Sequence, residues 1–239
     1  MKKKSGRGCF GAPLADLPRE DSGVPMPVAF LFRHVLSDGV VTYNGLFGAP
    51  GEEGQVKKLR AGLEDGGYDG GLELSAFKPE AICTLLLAFF KELPEPLVGG
   101  LYASFMQAAK HPKEDLQVAE LKALLRQLPE TNRLLIVYTA TCFHAVLQHE
   151  DKNNVTKRML AQVFAHALIA GPEPQENIRD KVKLIVLLID HHSDIAAAVG
   201  APGTRKAGAP VPLSIASPGS VLSHASGGGS SYAASPGQQ

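Results

Sequence analysis

The glycine-rich stretch GLFGAPGEEG, Gly45 to Gly54, is the first place in this sequence where chemistry could reside, because glycine-rich loops cradle phosphates. A phosphate loop needs a second glycine five positions after the first, then lysine and serine or threonine. Here Gly45 meets Pro50 at that spacing and Gly48 meets Glu53, while Glu52 and Glu53 would repel a phosphate. The stretch therefore reads as a turn before a helix. Cys142 and His144 stand two apart on a predicted helix and do not face each other, so they make no nucleophile–base pair. His191 and His192 are adjacent, point about 100° apart on a helix and would not chelate one metal. In a last helical turn they complement the helix dipole instead. His166, on an apolar helix, reads as a hydrogen-bonded structural histidine. No metal site and no cofactor site emerges from these residues.

The balance of charges narrows the partners. The 239 residues carry 24 Lys and Arg against 24 Asp and Glu, a formal net charge of zero, which gives no footprint for wholesale nucleic-acid binding. The longest near-continuous apolar stretch, AICTLLLAFF, is too short to span a bilayer. The basic start MKKKSGRGCF has no apolar segment behind it, so no secretory signal is expected. Cys9, Cys83 and Cys142 are odd in number and far apart, with Cys83 and Cys142 in apolar segments; buried free thiols and a cytosolic location are expected. From Gly200 to Gln239, 28 of 40 residues are Gly, Ser, Ala or Pro, with no acidic residue. That segment, 200–239, reads as a disordered tail, because it cannot bury enough surface to offset its ordering entropy.

The elements that must position any site are helices. Helices are predicted over 27–37, 52–65, 78–93, 100–109, 115–128, 131–149, 157–170 and 178–192. Pro27 and Pro79 sit in first turns, and Val56, Leu59 and Leu63 share one face. The 78–93 helix is apolar nearly all round and is expected at the centre, with Ile82, Leu86, Phe89 and Leu93 in the core. It ends where ELPEPL brings prolines. No alternating strand pattern of useful length occurs, so the fold class is all-α, with about eight to nine helices.

Position-specific stretches go further. FGAPLADL (Phe10–Leu17), VPMPVAFLFRHVLSDGVVTYNGLF (Val24–Phe47), GQVKKLRAGLEDG (Gly54–Gly66), AICTLLLAFFKELPEPL (Ala81–Leu97), LPETN (Leu128–Asn132) and NNVTKRMLAQVFAHAL (Asn153–Leu168) follow in order. Together they resemble the Rho GTPase-activating (RhoGAP) domain family over about residues 9–195. The resemblance implies a helical domain that engages a Rho-family small GTPase, favouring its GTP-bound form, with no cofactor.

It also implies a site, and here the chain departs from the family. The family's catalytic arginine ends a Gly-Ile-Phe-Arg pattern; Gly45-Leu46-Phe47-Gly48 puts Gly48 at that finger position. An arginine supplied in trans is worth roughly 10³–10⁵ in rate, or about 4–7 kcal/mol. The family's lysine and arginine on the central helix are Leu87 and Lys91, and its asparagine on the penultimate helix is Met159. The Gly-Pro-x-Leu that follows reads Ala165-His166-Ala167-Leu168. Gly48, Leu87, Lys91 and Met159 are thus the expected partner-binding positions, and no catalytic residue is assigned. Three readings stay open: a non-enzymatic pseudo-GAP that binds a Rho-family GTPase with little or no stimulation of hydrolysis, a weak activator working without its own finger, and a helical docking module that no longer binds GTPases.

Overall fold

A computed structural model describes residues 8–69, 71–171 and 178–200. The expected tail lies almost wholly outside the described residues. Among those described, ten α-helices and four short 3-10 turns account for the regular structure, and the only β pairing is an isolated bridge between Arg19 and Pro25. The helices are α1 (Met26–Val35), α2 (Glu53–Glu64), α3 (Pro79–Lys91), α4 (Tyr102–Ala109), α5 (Glu114–Gln127), α6 (Glu130–Leu147), α7 (Glu150–Asn153), α8 (Lys157–Leu168), α9 (Ile178–Asp190) and α10 (His192–Val199).

Eight of these follow the sequence expectation within a few residues, and two were not expected. α7 is a single turn, too short to carry periodicity. α10 separates from α9 because the chain turns at His191, which caps the new helix from φ −108°, and Gly200 closes it in the left-handed conformation. His191 and His192 therefore do not finish one helix. His191 Nε2 meets Glu114 Oε1 at 3.0 Å, and the His192 ring stacks on His144 with centroids 4.0 Å apart.

α3 is the central helix. It packs against α1, α2 and α8, and Ile82, Leu86 and Phe89 on it are buried. Leu93 lies beyond its end and is only half-buried against the core. On α2 the inward face is Leu59 and Leu63, with Val56 at its margin. α8 and α9 form another packed pair, which α6 and α4 flank.

A line of edge-to-face aromatic contacts runs through the interior, from Phe10 to Phe89 at 6.0 Å, Phe89 to Phe90 at 5.8 Å and Phe90 to Phe164 at 6.0 Å. It continues through a tilted pair, Phe164 and Phe143 at 4.7 Å, and again edge to face from Phe143 to Phe32 at 6.0 Å. Its outer end is clamped. Arg60 lies 4.6 Å over the Phe10 ring and holds Glu92 through two bonds, at 2.7 and 2.5 Å, while Glu64 accepts from the Cys9 and Phe10 amides.

All three thiols are buried and unpaired by disulfides. Burial, with Glu64 adding to it, pushes Cys9 up to about 12, and burial pushes Cys83 up to about 12 as well.

Phe164 is fully buried and touches three other phenyl rings, so little can fill its place. Phe164→Ala is expected to cost about 3–5 kcal/mol in denaturant unfolding. A loss below about 1 kcal/mol would contradict this account of the core.

Candidate functional site

Between α1 and α2 the chain folds a compact loop whose tip is Gly48. Gly45 (φ +82°) and Phe47 (φ +63°) both take left-handed conformations, and the Gly48 amide donates to the Gly45 carbonyl at 2.8 Å. Positive φ is free for glycine but costs a phenylalanine about 1–2 kcal/mol. Burial offsets that cost: the Phe47 ring sits 5.6 Å from Phe164 and 6.3 Å from Phe143. With Leu46 and Phe47 turned inward, Gly48, Ala49 and Pro50 are left exposed.

Asn153 holds this loop from one side. It is fully buried at the end of α7, and its Nδ2 donates to the carbonyls of Val41 and Val146, each at 2.9 Å. Its Oδ1 accepts from the Val155 amide at 2.8 Å, and its own carbonyl accepts from the Gly45 amide at 2.9 Å. One side chain thereby ties the loop to the C-terminal turn of α6 and to the entry of α8. Asn154 follows in a left-handed conformation and bonds Asn44 Oδ1 at 2.8 Å. Thr156 then caps α8, accepting from the Met159 amide at 3.2 Å.

α3 holds the loop from the other side. Tyr43 Oη donates to Glu80 Oε1 at 2.6 Å, and Thr84 Oγ1 accepts from the Gly51 amide at 2.8 Å. Gly51 lies so close to α3 that a Cβ there would fall 2.4 Å from Ala81 Cα. The hydrogen bond from Tyr43 holds the Glu80 carboxyl below its usual range and pushes the Tyr43 phenol up. Because the folded carboxyl is the stronger acid, this contribution is present above the ordinary carboxylate range and is lost as pH falls through the lowered value.

The expected partner-binding positions fall on these same elements. Gly48 is the loop tip. Leu87 and Lys91 stand on α3 one turn apart, on the stripe that begins with Glu80 and Thr84. Met159 is in the first turn of α8, which packs on α3. Leu87 and Met159 are half-buried against the core, so both serve packing; Lys91 is exposed. On α8, burial lowers the His166 pKa, with Lys181 and Lys91 adding to the effect. Sequence reasoning missed Asn153, Tyr43, Glu80 and Thr84 as loop anchors. Asn153 lay inside a stretch already singled out, but its partner Val41 is 112 residues away.

Among the described residues no group of three or more His, Cys, Asp or Glu could hold a metal, and no helix is long and apolar enough to cross a membrane. Cys142 is buried, and the His144 ring meets Gln148 Nε2 at 3.2 Å rather than the thiol.

The model of the RhoGAP domain matches residues 25–173, and the chain belongs to that family. It is similar to Rho GTPase-activating protein 21 of Mus musculus, 28% identical over 80% of this chain. It is also similar to Rho GTPase-activating protein 12 of Homo sapiens, 32% identical over 71% of this chain. The chain spans 10% and 20% of those two proteins' lengths. Among solved structures, human Rho GTPase activating protein 15 superposes with a TM-score of 0.72 at 23% identity, covering 80% of this chain and 92% of that one. The BH domain of GRAF, the GTPase regulator associated with focal adhesion kinase, superposes at 0.66 and 24%, covering 77% and 97%.

These relatives correct one expectation. The glycine at position 48 led to the expectation of a chain with no enzymatic role, yet the family and its named relatives are GTPase-activating proteins.

The loop geometry yields a direct test. Asn153→Ala removes three buried side-chain hydrogen bonds and is expected to cost about 2–4 kcal/mol. Amide hydrogen exchange should accelerate over residues 41–48 in the same variant. Unchanged exchange there would show that the loop is anchored without Asn153.

Proposed function

We propose that this chain regulates a Rho-family GTPase by binding its GTP-bound form and stimulating hydrolysis weakly, without an arginine of its own at position 48. The observation that carries this reading is the loop itself. It is anchored on both sides, by Asn153 and by α3, although its tip has no side chain to insert. An organised loop can order the partner's own reacting groups, and that ordering supplies part of the barrier reduction. The remaining part, the charge of the finger, is missing. An activator must also favour the GTP state, since it acts only through differential binding to the form that reacts. Gly48, Leu87, Lys91 and Met159 are the proposed contact positions, with apolar contacts at 87 and 159 taking the place of a lysine and an amide.

The test is single-turnover GTP hydrolysis by a panel of Rho-family GTPases with this protein in excess, beside binding to GTP- and GDP-loaded forms. The expected result is complex formation favouring the GTP form and a rate above the intrinsic one. Stimulation should fall about 10³-fold or more short of a finger-bearing relative. Absence of any complex would overturn the reading in favour of a docking module. Stimulation equal to a finger-bearing relative would overturn the claim of weakness.

Gly48→Arg alone is expected to recover only a small share. A Cβ at 48 lies 3.0 Å from the Gly45 carbonyl oxygen, so the turn must shift, and the surrounding contacts at 87, 91 and 159 have changed. Adding Leu87→Lys, Lys91→Arg and Met159→Asn should exceed the sum of the single changes, because groups that act as a unit are non-additive. Full stimulation by Gly48→Arg alone would refute a remodelled contact face.

A further inference from the structure

We propose that Tyr43 and Glu80 are positioning residues for the GTPase reaction: their hydrogen bond, paired with that of Gly51 to Thr84, fixes the loop carrying residue 48 in register with the α3 stripe carrying Leu87 and Lys91. This rests on the reading under Proposed function for its catalytic consequence and stands alone for its structural one.

The loop has two kinds of support. On the α7 side Gly45 and Asn44 bond to Asn153 and Asn154, which sets the base of the turn. On the α3 side the contacts bracket the tip, with Tyr43 before it and Gly51 after it. Glu80 and Thr84 receive those two bonds one helical turn apart. Leu87 and Lys91 continue the same line at the following turns. Helix α3 is rigid and central, so any residue held against Glu80 and Thr84 has a fixed offset from Leu87 and Lys91.

Stability accounts for only a small part of the Tyr43–Glu80 bond. Tyr43 is 37% exposed, and water could satisfy its hydroxyl. Exposed polar pairs contribute little to folding. A direct bond to a carboxylate nonetheless restricts both side chains at the mouth of the loop. Glu80 Oε2 has no partner among the described residues and is out of contact with solvent, which leaves the Tyr43 hydroxyl as the side-chain donor seen on that carboxylate. The bond thus restricts the junction between the loop and α3.

The experiment uses the full chain with Tyr43→Phe, Glu80→Gln, Glu80→Ala and the Tyr43→Phe/Glu80→Ala pair. Amide hydrogen exchange over residues 43–51 is measured in the free protein. Single-turnover hydrolysis is then measured with the maximal rate and the half-saturating concentration separated. Tyr43→Phe is expected to speed exchange over 43–51 by about fivefold and to lower the maximal rate about fivefold, as for loss of one bond to a charged group. The half-saturating concentration should change by less than about twofold and the Tm by less than about 2 °C. Glu80→Gln, which keeps an acceptor, should fall between wild type and Glu80→Ala. The double variant should be no worse than the poorer single one.

Unchanged exchange over 43–51 overturns the proposal, as do additive effects in the double variant. A large Tm loss in Tyr43→Phe also overturns it, by showing a structural role. If the wild-type chain stimulates no GTPase in the panel, the reading under Proposed function falls, and the exchange measurement still decides whether the bond fixes the loop.

Discussion

A single buried carboxamide organises the loop that ends at the exposed Gly48. Asn153 has no access to water, so each of its polar atoms must find a protein partner or cost the fold the full desolvation penalty. Its two amide hydrogens reach Val41 and Val146, and its oxygen reaches Val155, three backbone groups in three different segments. No aspartate could reproduce this, having no donor, and no leucine could satisfy the carbonyls. The loop at 41–48, the end of α6 and the start of α8 are therefore not independently adjustable. Whatever the surface of this domain does, it does from a platform whose height is set by one amide.

The second constraint is the exchange of strain for packing at Phe47. A phenylalanine forced to positive φ would ordinarily relax, but its ring is wedged against Phe143 and Phe164 at the middle of the aromatic line. The core thus reaches out to within one residue of the exposed tip. Stability and site are coupled here: changes to Phe143 or Phe164 act on the loop as well as on the core. The same coupling runs along α3, where one face is buried among α1, α2 and α8 and a stripe on the other carries Glu80, Thr84, Leu87 and Lys91.

Much of this was legible in the sequence, and the part that was not has a common cause. α3 could be read from its unbroken apolar run and the proline in its first turn, both local signals. The loop could be read as a turn from its glycines, and the resemblance of LPEPL and of Asn153–Leu168 to the family suggested where contact positions would fall. The break between α9 and α10 left no comparable mark, because a turn at His191 needs neither glycine nor proline. The anchors were invisible for a stronger reason. Tyr43 and Glu80 are 37 residues apart and Asn153 and Val41 are 112 apart, so only the folded chain brings them together. Leu87 and Met159 are intermediate cases: their apolar type was plain, but their share in core packing was not.

The three thiols carry a practical consequence. Burial pushes Cys9, Cys83 and Cys142 all up, so at neutral pH each stands as the protonated thiol rather than the reactive thiolate. Maleimides and similar electrophiles are expected to label these buried thiols slowly in the folded protein, without any cysteine being removed. A single cysteine placed at the exposed tip would be the one reactive handle among these residues. Fluorophores or spin probes could then report distances from the loop to a bound partner on an otherwise unaltered chain.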